Sequence, residues 1–340
     1  MEIYPVFLGQ AGCRQHCIFC SRWQVAANAP TPDPATVAAQ LEAQLPVSGS
    51  GEVAFYGGSF TALEWPLQAA YLAAVAPALA AGRVSGIRLS TRPDAIDDAL
   101  CQRLLAAGVQ TVELGCQSFA PRVLRASARG HDAAASGRAV AALRRAGLRV
   151  GLQLMPGLPG ADLAEARFSL AAALALEPDF LRIYPTLVLA GSRLEREWRA
   201  GAYRPLELDA AVDLCADLLH PCRLAGVPVI RLGLQGDAQL DRGAGICAGP
   251  YHPAFGQLVR ARLWRRALAT LIEQDCREPI HVPAREFSDA IGHRRANFDY
   301  FAGRQTPLVL RTDPGLAAAT LRQGREVFSL LHLAAQHNED

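Results

Sequence analysis

Short runs rich in Val, Ile and Leu alternate with longer Ala- and Leu-rich stretches through about the first 235 of the 340 residues. The short runs have the length of buried strands, and the longer ones have the apolar spacing of amphipathic helices. Strand-helix alternation of this kind predicts an α/β fold with a parallel sheet. Six or seven units fit an incomplete (β/α) barrel better than a closed eightfold barrel, and a doubly wound open sheet is the alternative.

The predicted strands are bounded by turn residues and lie at residues 4–8, 52–56, 86–90, 111–114, 149–154, 180–184 and 228–234. The predicted helices between them lie at residues 34–44, 66–80, 96–107, 133–146, 161–175 and 208–225. Gly108, Gly147 and Gly226 fall where helix ends are expected. In either architecture the active site is expected beyond the carboxyl ends of the strands.

The pattern changes after residue 235. A Gly- and Pro-rich segment at 235–255 precedes an arginine-bearing helix at 256–275. A strand, a helix and a strand are predicted across 279–314, and a last helix is predicted near 316–336. We therefore predict a partial-barrel domain at 1–235 and a small α+β module at 236–340.

Composition excludes several classes of protein. The chain contains no lysine, which rules out a lysine Schiff base and the lysine of a phosphate-binding loop. The formal net charge of +2 predicts no general attraction to nucleic acid or to an anionic membrane. The first ten residues lack the basic segment of a signal peptide, and the longest apolar run, 71–81, is too short to span a membrane. The sequence therefore predicts a cytoplasmic protein whose nine cysteines are reduced, metal-bound or catalytic and not paired in disulfides.

Three of those cysteines follow the first predicted strand. Cys13, Cys17 and Cys20 form a Cys-x-x-x-Cys-x-x-Cys pattern. Thiolates are the usual ligands of iron-sulfur clusters, and such short spacings let one loop wrap a cubane. Three ligands leave one iron open to bind another molecule. The alternatives are structural zinc with a remote fourth ligand and a redox pair formed by Cys17 and Cys20.

The triad resembles the signature of the radical S-adenosylmethionine (SAM) superfamily, in which an aromatic residue such as Phe19 often precedes the third cysteine. The resemblance implies that Cys13, Cys17 and Cys20 hold a [4Fe-4S] cluster whose open iron binds SAM. It also implies an external one-electron donor of the flavodoxin or ferredoxin type. Reduction then cleaves SAM and yields a 5′-deoxyadenosyl radical.

Further motifs stand at the predicted strand ends. Gly57 and Gly58 resemble the family's Gly-Gly motif, whose backbone receives the amino group of SAM, although a glycine pair alone also indicates a turn. The resemblance places Gln117 and Gln153 near the SAM ribose and Arg129 near the methionyl carboxylate. The full set of implied SAM contacts is Gly57, Gly58, Ser59, Ser90, Gln117, Arg129 and Gln153.

The residues that act on the final substrate are less constrained. Glu113, Arg92 and Cys116 lie at strand ends and are candidate catalytic residues. For Glu113 and Arg92 the alternative is a buried ion pair across the barrel, and for Cys116 and Cys247 it is a structural role. Four other cysteines lie in helical stretches, where a small buried side chain is the default interpretation, namely Cys101, Cys215, Cys222 and Cys276.

Residues 182–186, together with 91–94, 112–115 and 129–131, resemble the radical domain of the Elongator protein 3 family over roughly residues 3–235. That resemblance implies tRNA modification without the family's acetyltransferase domain. The compact cysteine spacing is instead similar to the coproporphyrinogen-oxidase branch, which often carries another cysteine where this chain has Arg22. The alternatives are a small-molecule or peptide substrate and a non-catalytic metal-binding or redox protein.

The segment after residue 279 loosely resembles a KH RNA-binding domain, with Ile291 and Gly292 opening its loop and Arg295 in place of the second glycine. The alternative is a small domain with a solvated basic helix face. A local phosphate-contacting surface is expected from the clustered arginines Arg260, Arg262, Arg265, Arg266, Arg285, Arg294 and Arg295.

Overall fold

The computed structural model describes residues 2–21, 31–234, 245–273, 278–306 and 308–336. Two compact units divide the chain. The first comprises Met1–Leu206, Val227–Ile230 and Ala238–Gly249, and the second comprises Glu207–Gly226, Arg231–Asp237 and Pro250–Asp340. The domain boundary at residues 235 and 236 stays a prediction.

Seven strands form the main sheet, and each pairs with the next one along the chain. They are β1 (Ile3–Phe7), β2 (Glu52–Tyr56), β3 (Gly86–Thr91), β4 (Val109–Gln117), β5 (Arg149–Leu154), β6 (Phe180–Ile183) and β8 (Val229–Leu232), with the short β7 (Val188–Leu189) lying outside this sheet. The strands β1 and β8 are the two edges, so the barrel is incomplete. The prediction of an incomplete (β/α) barrel with six or seven parallel strands is confirmed.

Helices alternate with these strands. They are α1 (Pro34–Gln44), α2 (Trp65–Ala80), α3 (Asp98–Ala106), α4 (Pro121–Ala126), α5 (Ala133–Arg145), α6 (Leu163–Ala175) and α7 (Arg193–Arg199). Asp33, Asp97, Asp132 and Asp162 begin four of the helices by accepting a hydrogen bond from a backbone N–H in the first turn. The helices α4 and α7 were not predicted, because six or seven residues are too few to show a 3.6-residue apolar period.

Successive side chains of each strand point to opposite faces of the sheet. In β3, Ile87 and Leu89 are fully buried on the face that the helices cover, whereas Arg88 points to the inner face of the half-barrel. The same alternation in β4 places Val112 and Leu114 on the outer face. The inner face is therefore free to carry polar side chains.

The second unit combines helices with a four-stranded sheet. Its helices are α8 (Leu208–Leu224), α9 (Phe255–Glu273), α10 (Phe287–Ile291), α11 (Ala296–Gly303) and α12 (Leu330–Gln336). Its strands are β10 (Ile280–Pro283), β11 (Leu310–Asp313), β12 (Thr320–Gln323) and β13 (Glu326–Ser329), and β9 (Ile246–Ala248) belongs to the first unit, where it pairs with β7. The small C-terminal α+β module agrees with the expected fold class. Among the described helices, none has both the length and the apolar character to cross a membrane.

One predicted element is wrong. The last helix, predicted near 316–336, begins only at Leu330, because β12 and β13 form a hairpin across residues 320–329. A two-residue turn with Gly324 first, at φ +56°, joins the two strands. Leu321 is fully buried between half-exposed neighbours, which is the two-residue period of a strand. Cys276 and residues 235–244 lie outside the described residues.

The arginines of α9 do not form the free basic surface that was expected. Arg266 pairs with Asp213 and Asp217, and Arg262 pairs with Asp213 and Asp209. The side chains of Arg262 and Arg266 are only 12% and 11% exposed. Both arginines serve contacts within the second unit instead of standing free for phosphate. Two further arginines of the expected surface also have partners in this unit, since Arg260 pairs with Asp289 and Arg265 stacks on Tyr300.

Candidate active site

Residues 8–21, which carry Cys13, Cys17 and Cys20 and are called the cysteine loop below, follow β1 at the carboxyl end of the sheet. Two backbone groups of this loop are fixed by distant segments of the first unit: the Ile18 N–H donates to the Ser127 carbonyl at 3.2 Å, and the Leu194 N–H donates to the Ile18 carbonyl at 2.8 Å. Ile18 and Phe19 pack in an apolar cluster with Leu158 and other buried residues. Phe19 therefore anchors the loop.

The three thiols differ in their surroundings. Cys17 is buried, Cys13 is half-buried and Cys20 is exposed. A hydrogen bond from the Cys20 thiol and the nearby positive charge of Arg129 lower the pKa of Cys17 to about 5, against the opposing effect of burial. The same hydrogen bond raises the pKa of Cys20, because Cys20 keeps the shared proton. The hydrogen bond and the charge of Arg129 thus favour the thiolate of Cys17, which is the form of cysteine that binds iron.

Arg129 connects this thiolate to the sheet. Its Nη1 donates to Cys17 Sγ at 3.4 Å, and its Nη2 donates to the Gly115 carbonyl at 2.5 Å. The side chain is buried, and its Nε has no hydrogen-bond partner among the described residues. Arg129 therefore touches a candidate cluster ligand directly, a contact that the sequence did not indicate.

Gly57 and Gly58 lie against the backbone of the cysteine loop. A Cβ atom on Gly58 would stand 2.1 Å from the Ala11 carbonyl oxygen, and one on Gly57 would stand 2.6 Å from the Gly9 carbonyl oxygen. The next N–H, that of Ser59, donates to the Ala11 carbonyl at 2.9 Å. The glycine pair is therefore required for loop and sheet to meet, whatever ligand it also receives.

The expected SAM contacts at β3 to β5 form two groups. Gln153 Nε2 donates to Gln117 Oε1 at 3.0 Å, and a Cβ on Gly115 would stand within 3 Å of both Gln117 Nε2 and Arg129 Nη2. Gln117, Gln153 and Arg129 therefore converge on Gly115. Ser90 is half-buried at the end of β3.

Ser59 differs from these residues, since it is fully buried and its hydroxyl contacts the Thr91 hydroxyl at 3.0 Å.

Gln117 has φ +69°, a left-handed conformation that is strained for a residue with a side chain and is concentrated at functional sites. The strain falls at a register shift between β4 and β5.

A ladder of alternating charges crosses the inner face of the sheet. It runs through Arg149, Glu52, Arg88, Glu113 and Arg182, with ion-pair distances between 2.5 and 3.1 Å. Arg88 lies between both glutamates, and Glu52 also accepts from Thr111. At the upper end, Tyr56 donates to Glu113 at 3.2 Å and accepts from Arg182 at 2.8 Å. The ladder places paired charges along the inner face of the half-barrel, with Tyr56, Glu113 and Arg182 in contact at one end of it.

The structure corrects the ion pair that was considered for Arg92 and Glu113. Arg92 instead binds Asp94 through two hydrogen bonds of 2.9 and 2.8 Å, and Glu113 binds Arg88 and Arg182. Glu113 lies on the inner face, as a substrate contact requires.

Cys116, the third catalytic candidate, alternates to the opposite face, where it is fully buried. Burial raises the pKa of its thiol to about 11. Cys247 lies in β9, and its thiol donates to Glu195 at 3.4 Å.

We expect Glu52→Gln to destabilise the protein strongly. Glu52 is fully buried and pairs with Arg88 and Arg149, so the substitution leaves the buried Arg88 with Glu113 as its remaining counter-ion. Breaking a buried ion pair from one side typically costs about 3 to 5 kcal/mol. Chemical denaturation should show this loss. Glu64→Gln, which removes an exposed pair with Arg14, is the matched control and should leave the unfolding midpoint unchanged. Equal midpoints for both variants would contradict the structural role of the ladder.

The donor set fits an iron-sulfur cluster. Within the described part of the chain, no group of three or more His, Cys, Asp and Glu side chains is gathered around a single metal ion. In a cubane each thiolate binds a different iron, so the sulfurs need not surround one point. A thiolate at Cys17, two further thiols on the same short loop and a buried guanidinium beside them suit an anionic cluster.

Comparison with known families agrees with this geometry. The model of the Radical SAM superfamily matches residues 8–170, and the model of the Radical_SAM C-terminal domain matches residues 178–265. The chain belongs to the radical SAM superfamily. The superfamily implies a [4Fe-4S] cluster and SAM, and the cysteine loop, Gly57 and Gly58 all lie within the first matched region.

Several curated proteins are similar to part of the chain. The tRNA uridine(34) acetyltransferase of Dehalococcoides mccartyi is 36% identical over 140 residues, which cover 40% of this chain and 30% of that protein. Elongator complex protein 3 of Saccharomyces cerevisiae is 34% identical over 138 residues, covering 39% and 25%. Protein YhcC of Escherichia coli is 32% identical over 143 residues, covering 42% and 46%. The matched parts thus span less than half of each relative.

A solved structure shows the same fold. The archaeal Elp3 of Methanocaldococcus infernus, lacking its residues 1–46, superposes with a TM-score of 0.59 at 23% identity. The match covers 81% of this chain and 63% of that one. The two chains therefore share a fold over most of this chain.

Proposed function

We propose that this chain is a radical SAM enzyme that modifies tRNA. Cys13, Cys17 and Cys20 hold a [4Fe-4S] cluster, and SAM binds beside it at the carboxyl ends of the strands. The observation that carries the proposal is the backbone contact between the cysteine loop and Gly57-Gly58, with Arg129 bound to Cys17. This contact brings the thiols of the loop and the candidate SAM contacts together at the carboxyl ends of the strands.

The residues around the loop have distinct roles in this proposal. A cluster held by Cys13, Cys17 and Cys20 would supply the electron for cleavage of SAM, and a flavodoxin- or ferredoxin-type protein would be its external donor. Arg129 offsets the negative charge of the Cys17 thiolate and keeps its Nε available to an anionic group. Gln117 and Gln153 hold one another and present amide groups at the ends of β4 and β5. Phe19 and its apolar neighbours exclude water beneath the loop.

The substrate assignment rests on the relatives. Two of them are named as tRNA uridine(34) acetyltransferase and Elongator complex protein 3, and their similarity covers 40% and 39% of this chain. In the proposal, residues 1–235 carry the chemistry and residues 236–340 form the KH-like module. The order strand, helix, Gly292 loop, helix and strand supports that second assignment.

Anaerobic reconstitution with iron and sulfide tests the enzyme assignment. We expect about four iron atoms per chain and formation of 5′-deoxyadenosine when the reduced protein is mixed with SAM. Iron counting and chromatography of the nucleoside products measure both. Zinc in place of iron, or reduced protein that yields no 5′-deoxyadenosine, would show that the proposal is wrong.

A further inference from the structure

A cavity of about 570 Å³ lies behind Arg129, within the first unit. Its walls come from the end of α4, the turn that follows it and the first turns of α5. Arg129 forms part of the wall, so the same guanidinium that contacts Cys17 also borders the cavity. The cavity is large enough for a charged group of a ligand together with part of its neighbouring chain.

Positive charge dominates this cavity. Arg125, Arg129 and Arg138 line it, and Asp94 and Asp132 are the acids among the lining residues. Asp94 is held by two hydrogen bonds from Arg92, and Asp132 accepts the Ala135 N–H at the start of α5. Asp132 Oδ1 also lies 4.0 Å from Arg138 Nη2, and Arg125 and Arg138 are both exposed at the rim.

Two buried nitrogen atoms in the residues that line the cavity have no hydrogen-bond partner among the described residues. Arg129 is only 6% exposed, and its Nε has no hydrogen-bond partner among the described residues. His131 Nδ1 lies 3.1 Å from the Asp132 carbonyl, and the other ring nitrogen, Nε2, is buried with no partner in the same described set. Unpaired buried polar atoms are costly, and clusters of them indicate a ligand or ordered water.

We propose that this cavity binds a backbone phosphate of the RNA substrate, with Arg125, Arg138 and His131 as its phosphate contacts. The inference rests on the proposed function and names where that function holds its substrate. Phosphate oxygens accept several hydrogen bonds at once, which matches two exposed guanidinium groups and a half-buried imidazole that line one cavity. The small net charge of the chain does not conflict with this site, since Arg125, Arg129 and Arg138 place three positive charges around one cavity.

Arg262 and Arg266 of α9 serve ion pairs within the second unit and are not available to phosphate, whereas Arg285, Arg294 and Arg295 of the expected surface are exposed. The cavity supplies a basic surface on the unit that carries the cysteine loop. A phosphate bound there lies one side chain, Arg129, away from Cys17.

Binding of an unmodified tRNA transcript to full-length protein, measured across a salt series, tests the site. We expect the double variant Arg125→Gln with Arg138→Gln to bind about tenfold more weakly, with the slope of log affinity against log salt reduced by about two. The matched control is Arg122→Gln with Arg145→Gln, which removes the same charge from the same two helices outside the cavity. The control should keep nearly the wild-type affinity and slope, and equal melting temperatures should verify that all variants fold.

A second measurement addresses the imidazole without tRNA or cofactor. Burial and the charges of Arg129 and Arg92 lower the pKa of His131, while Asp94 opposes them. Added inorganic phosphate should raise the pKa of His131 in NMR titrations of the wild type, and the Arg125→Gln, Arg138→Gln variant should lose most of that rise. A His131 signal that does not respond to phosphate would count against the site.

The possible outcomes distinguish failure of the proposed phosphate site from failure of the enzyme assignment. If the cavity and control variants bind tRNA equally well while 5′-deoxyadenosine still forms, the proposed phosphate site is wrong and the enzyme assignment stands. If the cavity variant instead loses SAM binding and keeps its tRNA affinity, the cavity serves the carboxylate of SAM, which overturns the proposal. A wild type that cleaves SAM but binds no tRNA at low salt removes both the RNA substrate and this site.

Discussion

Replacing Cys17 with Ala should reduce bound iron from about four atoms per chain to nearly none and abolish 5′-deoxyadenosine formation. Cys17 is the buried member of the triad, and the Cys20 hydrogen bond and the Arg129 charge favour its thiolate. A cubane that loses one of three protein ligands is left with two, too few to retain it. Iron counting after anaerobic reconstitution, together with absorbance of the cluster, measures the loss. We expect the same result for Cys13→Ala and Cys20→Ala.

Cys215→Ala and Cys222→Ala are the controls for this prediction. Both cysteines are fully buried in α8, and burial raises the pKa of each thiol, so neither is a candidate metal ligand. These variants should retain the wild-type iron content. Loss of iron in either control would reveal a second metal site, whereas retention of iron by Cys17→Ala would contradict the assigned ligand set.

Gly58→Ala should destabilise the protein and impair cluster retention at the same time. The added Cβ would stand 2.1 Å from the Ala11 carbonyl oxygen and 2.9 Å from the Ala11 backbone nitrogen, and backbone atoms cannot rotate aside as a flexible side chain does. Overpacking of this kind costs about 3 kcal/mol. Thermal unfolding of the apo-protein measures the first effect, and iron content after reconstitution measures the second.

Gly303→Ala is the matched control for the steric argument. Gly303 ends α11, and none of the described atoms lies within 4 Å of its Cβ position. Alanine there should leave both the melting temperature and the iron content close to wild type. If Gly58→Ala behaves like this control, the loop does not rest on the glycine pair, and the observation that carries the proposed function is lost.

Much of the partial barrel could be predicted because its signals are local. Each strand is a short apolar run, and four of the helices begin at a capping aspartate. The bounds of β2 (Glu52–Tyr56) and α1 (Pro34–Gln44) coincide with the predicted ones. The hairpin at 320–329 was missed because Leu321 and the residues around it were read with a helical period. Gly324, the first residue of its turn, was the available signal.

The cysteine triad could be located from spacing alone, whereas the contacts of the surrounding arginines could not. Arg92 has its acidic partner two residues away, in Asp94, while Glu113 has partners 25 and 69 positions away in Arg88 and Arg182. Choosing among them requires knowing which side chains share the inner face of the sheet. Likewise, Arg262 and Arg266 were included in a predicted phosphate surface because their aspartate partners lie about 50 residues earlier, in α8.

The charge ladder bears on how the strands find their alignment as the chain folds. A shift of β3 by one residue would turn Arg88 towards the apolar helix layer and bring Leu89 inside. A lone charge in that layer costs several kcal/mol, so each misaligned pairing is penalised far more than it would be with an apolar interior. The ladder therefore acts as a check on strand alignment. The alignment it permits is the one in which the cysteine loop and the glycine pair meet.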